Sequence, residues 1–409
     1  MEPSRQKSIC LPFESEAQYR RVVEDKVMFR QFIQASIAQY PELLPREIAL
    51  GFRLHGSYYS TKQDIVVRRI KLRASGQVFQ IRPSLVMPDM SAKTDEIEKA
   101  LYWRHWGVPF AALAYVFGRD AMFWYRAWLA LGRASLLGTT DKHAESMPLD
   151  LVADEKVTWG GTRSLSRRRS AAAVSWASVW FRRPTATGWR RACRRQAGYG
   201  EFAAEADDVF PDYQPRSVCT DGLKATRPAW RRLFPQITLV LCFLHSILKI
   251  KDRCTGALRH LVLDKAWHVY EATTRRQFAQ RTRRLAQWAT AHLKDPLLEA
   301  VLKLCRHRAD FTPADECPSA ARISNAVDRL LNHRDRVLYA MRYGHSTTPS
   351  TWLAVRAWAM QWNFHPYGTR LRHDQPWRSS PFHDLNGFQY HANWLHNFLI
   401  ASSMGGLRL

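Results

Sequence analysis

No apolar run in the chain approaches the ~20 residues of a membrane span, so no helical crossing is expected. The N-terminus lacks the basic, apolar and small-residue order of a signal peptide. A soluble cytoplasmic protein is the expectation. Cysteine is sparse: seven residues, an odd number scattered without a repeated Cys-x-x-Cys, which excludes a disulfide framework and a zinc ribbon and leaves buried thiols as the ordinary reading. Acid is the most telling shortage. Against 61 Lys and Arg stand only 36 Asp and Glu, a formal net charge of +25 and a pI near 10.2. Counterion release makes such an excess a signature of a nucleic-acid partner, although a ribosomal or RNA-binding protein would carry it too.

The shortage is local as well as global. Between Val157 and Gly200 there is no Asp or Glu, while Arg163, Arg167, Arg168, Arg169, Arg182, Arg183, Arg190, Arg191, Arg194 and Arg195 lie among Ser, Ala and Trp without period two. Two explanations compete. One is a basic arm on DNA; the other is a stretch read in a shifted frame between two compensating insertions or deletions, which in a GC-rich gene yields Arg, Ala, Ser, Pro and Trp. Abrupt boundaries, with orderly sequence resuming at Tyr199-Gly-Glu-Phe, favour the second and make this a decayed copy.

What is present is enough for two or three domains, with 409 residues and 46% hydrophobic content. Residues 1–90 read as a helix plus hairpin: apolar positions from Val22 to Ala38 recur at helical spacing over Ser15 to Gln39, and Ile65, Val67, Ile70 and Leu72 lead through Gly76 to Val78, Phe79 and Ile81. This small module carries no acid or cysteine cluster and reads as a folded accessory domain. In residues 91–140, Phe110 to Val116 and Asp120 to Leu131 are two short helices around Phe117-Gly118-Arg119, a helix-turn-helix spacing. Asp120 is the expected cap, and Arg119, Arg126 and Arg133 are the expected phosphate contacts. Generic helical hairpins share the pattern.

Carboxylates occur at three informative places. Leu149, Leu151 and Ala153 alternate like a short strand and lead to Asp154; a β-prone Val218-Cys-Thr leads to Asp221 and a strand-breaking Gly222. Both acids are expected at strand ends, where a rigidly held carboxylate suits Mg²⁺, a hard cation that takes oxygen ligands. Taken singly, each is as readily a turn or a cap. Farther on, Ile323 to Arg336 reads as a helix with Ser324 or Asn325 at its N-cap and Asp328 in its first turns.

Leu151-Val-Ala-Asp154-Glu-Lys, Cys219-Thr-Asp221-Gly222, Leu239-Val-Leu-Cys242-Phe-Leu-His245 and Ser324-Asn-Ala-Val-Asp328-Arg-Leu-Leu-Asn332 together resemble bacterial insertion-sequence transposases with an RNase H-like core, distantly similar to the Mutator-type group. In that superfamily the first Asp ends the first strand, the second ends the fourth, and a third acid, usually Glu, lies on a later helix. The Mutator-type enzymes also carry a Cys-x-x-His after the second Asp, matched by Cys242 and His245, and an Asn before the third acid, matched by Asn325. The resemblance implies an α/β, RNase H-like mixed sheet interrupted by an all-helical insertion. Asp154, Asp221 and Asp328 would be both catalytic and metal-holding, with Glu155 substituting if the strand end shifts by one. It further implies Mg²⁺ or Mn²⁺ as cofactor, double-stranded DNA at terminal inverted repeats and target as partner, assembly as a homo-oligomer on DNA, and residence with the nucleoid.

The same resemblance divides the chain into a first core part at 141–246, an insertion at 247–320, a catalytic helix at 321–345 and a helical tail at 346–409. The helical spacing from Ile247 to Cys305 fits the insertion, where Arg275 and Arg276, with Arg281, Arg283 and Arg284, are expected on DNA or on a solvated face. A non-catalytic, sequence-specific DNA-binding protein is the alternative function. Taken without the resemblance, Cys242 and His245 supply only two of four zinc positions and read as core residues near the acids.

Overall fold

The computed structural model describes residues 7–157, 162–168, 179–182, 200–222, 226–312, 317, 319–339 and 348–407. The N-terminal unit begins with strand β1 (Ser8–Leu11) and two helices, α1 (Glu16–Glu24) and α2 (Lys26–Gln39). The single helix expected over this stretch is divided at Asp25, whose extended backbone lets its carboxylate accept from the amides of Val27 (2.6 Å) and Met28 (2.9 Å). A short acid that caps its own downstream amides competes with helix continuation. Strands β2 (Phe52–Ser60), β3 (Ile65–Leu72) and β4 (Val78–Pro83) follow, and the sheet order is β1-β4-β3-β2, with β1 parallel to β4 and the rest antiparallel. The hairpin of β3 and β4 turns at Gly76 (φ 68°), as its alternation suggests. Tyr19, Val23, Phe29 and Ile33 of α1 and α2 cover one face of this sheet over Ile70, Phe79 and Ile81.

Helices α3 (Thr94–His105), α4 (Phe110–Phe117), α5 (Ala121–Leu131) and α6 (Leu136–Thr140) come next. The turn between α4 and α5 forms where expected: Gly118 and Arg119 hold positive φ (70° and 57°), and the Asp120 carboxylate accepts from the Phe123 amide at 2.8 Å.

A second sheet is built from β5 (Asp150–Val157), β6 (Thr162–Arg168), β7 (Val179–Arg182), β8 (Ser217–Thr220) and β9 (Thr238–Leu241), in the order β7-β6-β5-β8-β9. The first three strands run antiparallel and β8 and β9 run parallel to β5. Thus β6 and β7 arise inside the arginine-rich stretch, which carries no strand pattern of its own. Pairing to β5 supplies the order that the local composition does not.

Both faces of this sheet are covered. Helix α7 (200–209) and α8 (Thr226–Leu233) lay Phe202, Ala206, Ala229 and Trp230 on Leu151, Ala153, Val218 and Leu239. Alternation turns Val152, Cys219 and Val240 the other way, against Val327 and Leu331 of α14 (Asn325–Tyr339). Between β9 and α14 come α9 (Phe243–Lys251), α10 (Gly256–Tyr270), α11 (Arg275–His292), α12 (Leu297–Arg306) and α13 (Arg308–Phe311), packed round a core of their own that includes Phe243, Phe278, Leu285 and Val301.

The chain closes with α15 (Thr348–Phe364), α16 (Thr369–Asp374), α17 (Pro381–Asn386) and α18 (Trp394–Ala401). Leu113, Trp124, Trp128 and Leu131 share one core with Leu330, Val337, Val355, Trp358 and Phe398, so sequence-distant helices bury one another. The result is a mixed α/β fold in which, among the described residues, no helix is long and apolar enough to cross a membrane.

Candidate metal centre

Strand β8 delivers Asp221 at the point where it ends. Gly222 follows with φ 76°, in the left-handed region that favours glycine, and a Cβ there would push on the Leu241 side chain. The β5–β8 register pairs Asp150 with Ser217, Leu151 with Val218 and Val152 with Cys219. On the other side Thr220 pairs with Leu241, the Cys242 amide donates to the Thr220 carbonyl at 2.8 Å, and Cys242 is the next position of β9. Positions 221 and 242 therefore lie side by side at the carboxyl ends of two adjacent parallel strands, and position 154 lies two residues beyond the last pair that joins β5 to β8.

One expectation is corrected. Asp154 lies within β5 rather than at its end, because antiparallel pairing with β6, Asp154 opposite Ser166, carries the strand on to Val157. The parallel partnership with β8 nevertheless stops at Val152, so position 154 stands just beyond the last β5–β8 pair.

Helix α14 crosses the same face. Its first-turn residue Val327 and then Leu331 are buried against Val152, Cys219, Val240 and Cys242, which brings the backbone of position 328 to that side of the sheet. The side chains of Asp154 and Asp328 lie outside the described residues. Among the described residues no three His, Cys, Asp or Glu side chains form a metal-holding group.

A polar cluster sits beside these positions. Cys242 is fully buried; its sulfur lies 3.2 Å from Ser324 Oγ and accepts from the Ser324 amide (3.2 Å), and Ser324 Oγ lies 3.4 Å from His245 Nδ1. The Cys242 thiol is brought down to about 4, chiefly by a hydrogen bond from Cys219, with His245 and Ser324 adding to it against the opposing effect of burial. Cys242 directly follows β9, the neighbour of the strand that leads to Asp221, and His245 lies in the first turn of α9. Cys219 and Ser324 complete the group. Cys219 was detectable in principle, since it shares strand parity with Asp221; Ser324 was read only as a helix cap.

No protein-family model matches the chain, and no curated protein matches it. The assignment of chemistry accordingly rests on the residues themselves.

The arginines expected on DNA are spread over two regions. Arg119 is paired with Glu96 (2.6 Å) and covers the Phe123 ring at 4.6 Å; Arg133 reaches Asp89 at 3.3 Å; Arg126 is exposed on α5. Trp124 and Trp128 of that helix are wholly buried, each worth on the order of 2 kcal/mol of burial. That leaves α5 an exposed side limited to residues such as Met122 and Arg126. Arg275 and Arg276 are exposed in the first turn of α11, with Arg283 and Arg284 exposed farther along it, whereas the Arg281 guanidinium donates to the His268 carbonyl at 2.6 Å.

The far half of α14 is anchored in the helical core by an imidazole stack that spacing did not reveal. His105 lies 3.7 Å from His365 with the rings 7° from parallel, and 4.5 Å from His333 of α14. Trp358 Nε1 donates to His333 Nδ1 at 3.1 Å. Burial keeps all three rings neutral, bringing His333 and His365 down to about 4 and His105 well below its ordinary value. The near-parallel contact of His105 with His365 and the tilted one with His333 (38°) pack α14 against α3 and the end of α15.

Proposed function

We propose that the chain is a divalent-metal DNA transposase of RNase H-like fold, with Asp154, Asp221 and Asp328 as its acids. The observation that carries this reading is the parallel pairing of β5 with β8, whose last pair is Val152–Cys219, so that positions 154 and 221 each lie two residues beyond it, with α14 packed on the same face just before position 328. The strand order β7-β6-β5-β8-β9, with an acid on the first strand of the sheet and another directly after the fourth, agrees with what the sequence resemblance implies. A helical unit between β9 and α14 agrees with the implied insertion.

Carboxylate oxygens from two strands and one helix are a donor set suited to Mg²⁺ or Mn²⁺, whereas a zinc site would call for the nearby Cys242 and His245 as ligands. When bound, such ions supply a Lewis acid for the phosphodiester and lower the pKa of a water or 3′-hydroxyl nucleophile. The protein's own share is positioning. Gly222 frees the edge after Asp221, Val327 and Leu331 seat α14, and the Ser324, Cys242 and Cys219 group fixes the start of that helix against β9. Double-stranded DNA is the substrate class, with element ends and target as its two forms, bound by a homo-oligomer.

The test is nicking of supercoiled plasmid carrying candidate element ends, with Mg²⁺ or Mn²⁺ and with a chelator. Metal-dependent nicking that Asp221→Asn, Asp154→Asn and Asp328→Asn each abolish is the expected result. Nicking that survives all three substitutions overturns the assignment of the acids. Duplex binding with no nicking under any metal condition would favour the non-catalytic DNA-binding reading.

A further inference from the structure

The N-terminal sheet has one face on α1 and α2 and another that carries cations without acids. In the β2–β3 register Arg53 stands directly opposite Lys71, and in the β3–β4 register Arg69 stands opposite Gln80. The Arg69 guanidinium lies 6.0 Å from the Tyr58 ring centroid; the Tyr58 hydroxyl donates to Gln80 Oε1 at 3.1 Å and accepts from Arg82 at 3.2 Å. Arg82 also donates to Gln63 Oε1 at 2.6 Å. Arg69 and Arg82 thus flank the Tyr58 ring, with Arg53 and Lys71 farther along the same face; the hydrogen bonds of Arg82 run to neutral groups, and Arg69 Nε is buried without any hydrogen bond.

Two features argue that this arrangement is for something. Like charges directly opposite on neighbouring strands destabilise a sheet, so the Arg53–Lys71 pair is unfavourable until an anion lies across it. The register shifts between Leu54 and Ser57, where Gly56 (φ 85°) lies against Arg69; a Cβ at 56 would stand 3.6 Å from Nη2. The bulge therefore bends the outermost strand against the Arg69 side chain. Strand β2 is the sheet edge and is exposed from His55 to Tyr59, while β3 lies inside the sheet between β2 and β4.

We propose that this face is a binding surface for double-stranded DNA, with the exposed edge strand β2 against the duplex and Arg53, Arg69, Lys71 and Arg82 turned to its phosphates. Arg and Lys on a sheet face without acids are the groups that neutralise a duplex backbone. The choice of DNA among polyanions rests on the nuclease reading; the surface itself stands on its charge and geometry. It lies in a part of the chain whose sequence reads only as an accessory domain.

The experiment is fluorescence anisotropy of the full chain with a labelled duplex of about 30 base pairs, titrated between about 50 and 200 mM salt. The Arg53→Gln/Arg69→Gln/Lys71→Gln protein should bind at least about tenfold more weakly at 100 mM salt, with a salt dependence shallower by roughly 2 to 3 in log–log slope. An Arg53→Lys/Arg69→Lys protein should keep most of that slope, which separates lost charge from a damaged fold; matching circular dichroism is required of both. Unchanged affinity and slope in the glutamine variant overturn the proposal, as does an RNA duplex that binds more tightly and loses that binding on the same substitutions. Failure here leaves metal-dependent nicking untouched. Conversely, absence of metal-dependent nicking in the unsubstituted protein would sink the nuclease reading while leaving duplex binding by this face intact.

Discussion

The stacked imidazoles between α3, α14 and α15 make a definite demand on pH. His333 and His365 have an ordinary value of 6.5 and are brought to about 4 in the fold, with desolvation as the leading cause. The folded state therefore refuses protons that the unfolded chain accepts. Stability is fully present above pH 6.5, falls as pH drops from 6.5 to 4, and loses nothing further from these rings below that. At about 1.4 kcal/mol for each pH unit, each ring removes up to about 3 kcal/mol across the window, a large share of the 5–15 kcal/mol that ordinarily holds a domain. Carboxylates with lowered values, such as Asp310 beside His307 and Arg227, titrate from below their ordinary 3.8 and act only under the window. The assay is urea unfolding followed by tryptophan fluorescence at steps from pH 7 to pH 4.5. His365→Phe keeps a ring to stack on His105 and cannot titrate, so its loss of stability over the window should be smaller than that of the unsubstituted protein by about 2 to 3 kcal/mol. Identical pH slopes in the two proteins would refute the account of a neutral buried stack.

Three other outcomes are expected. Gly132 ends α5 where a Cβ would meet the Leu353 carbonyl oxygen at 2.2 Å and the Ala357 nitrogen at 2.9 Å; both are backbone atoms, so Gly132→Ala should destabilise the fold by about 1 to 3 kcal/mol in thermal or urea unfolding, and a neutral result would contradict the close approach of α5 and α15. Cys242 should be a thiolate at neutral pH, visible as ultraviolet thiolate absorbance that disappears near pH 4 and is absent in Cys242→Ser; Ser324→Ala should raise that midpoint, and an unmoved midpoint would remove Ser324 from the cluster. Gly222→Ala forces a side chain into a positive-φ position, so stability should fall by about 1 kcal/mol and metal-dependent nicking by a larger factor than stability explains; equal nicking would show that the turn after Asp221 does not set the edge.

The sequence spoke where hydrophobic period and cap chemistry agreed. Asp120 before Ala121 and Phe123, Gly76 between two alternating runs, and Asp221-Gly222 after a β-prone triplet all took the local form their residues favour. Strand β2 was silent because Arg53-Leu-His-Gly-Ser-Tyr-Tyr has almost no buried side to impose period two. Strand β1 was silent for another reason: four residues pair in parallel with β4, which comes more than sixty residues later, and no local window contains that partner. Strands β6 and β7 owe their order to a neighbour, and composition carries no trace of a neighbour. At the candidate site the strand that leads to Asp221 was legible, but the register that sets β5 beside β8 was not; register offset is a property of the assembled sheet. The histidine trio shows the same limit, since residues 105, 333 and 365 meet only through three helices that are far apart in the chain.

Helix α14 belongs to two interiors at once: Val327 and Leu331 are locked against strands, while Leu330, His333 and Val337 are locked among helices. There is consequently no clean place to cut. A fragment ending after the sheet would lack the wall that Val327 provides, and one carrying α14 without residues 94–131 and 348–401 would display Leu330 and Val337 to water. Melting of either half should drag the other with it, giving one calorimetric transition where a string of independent modules would give several.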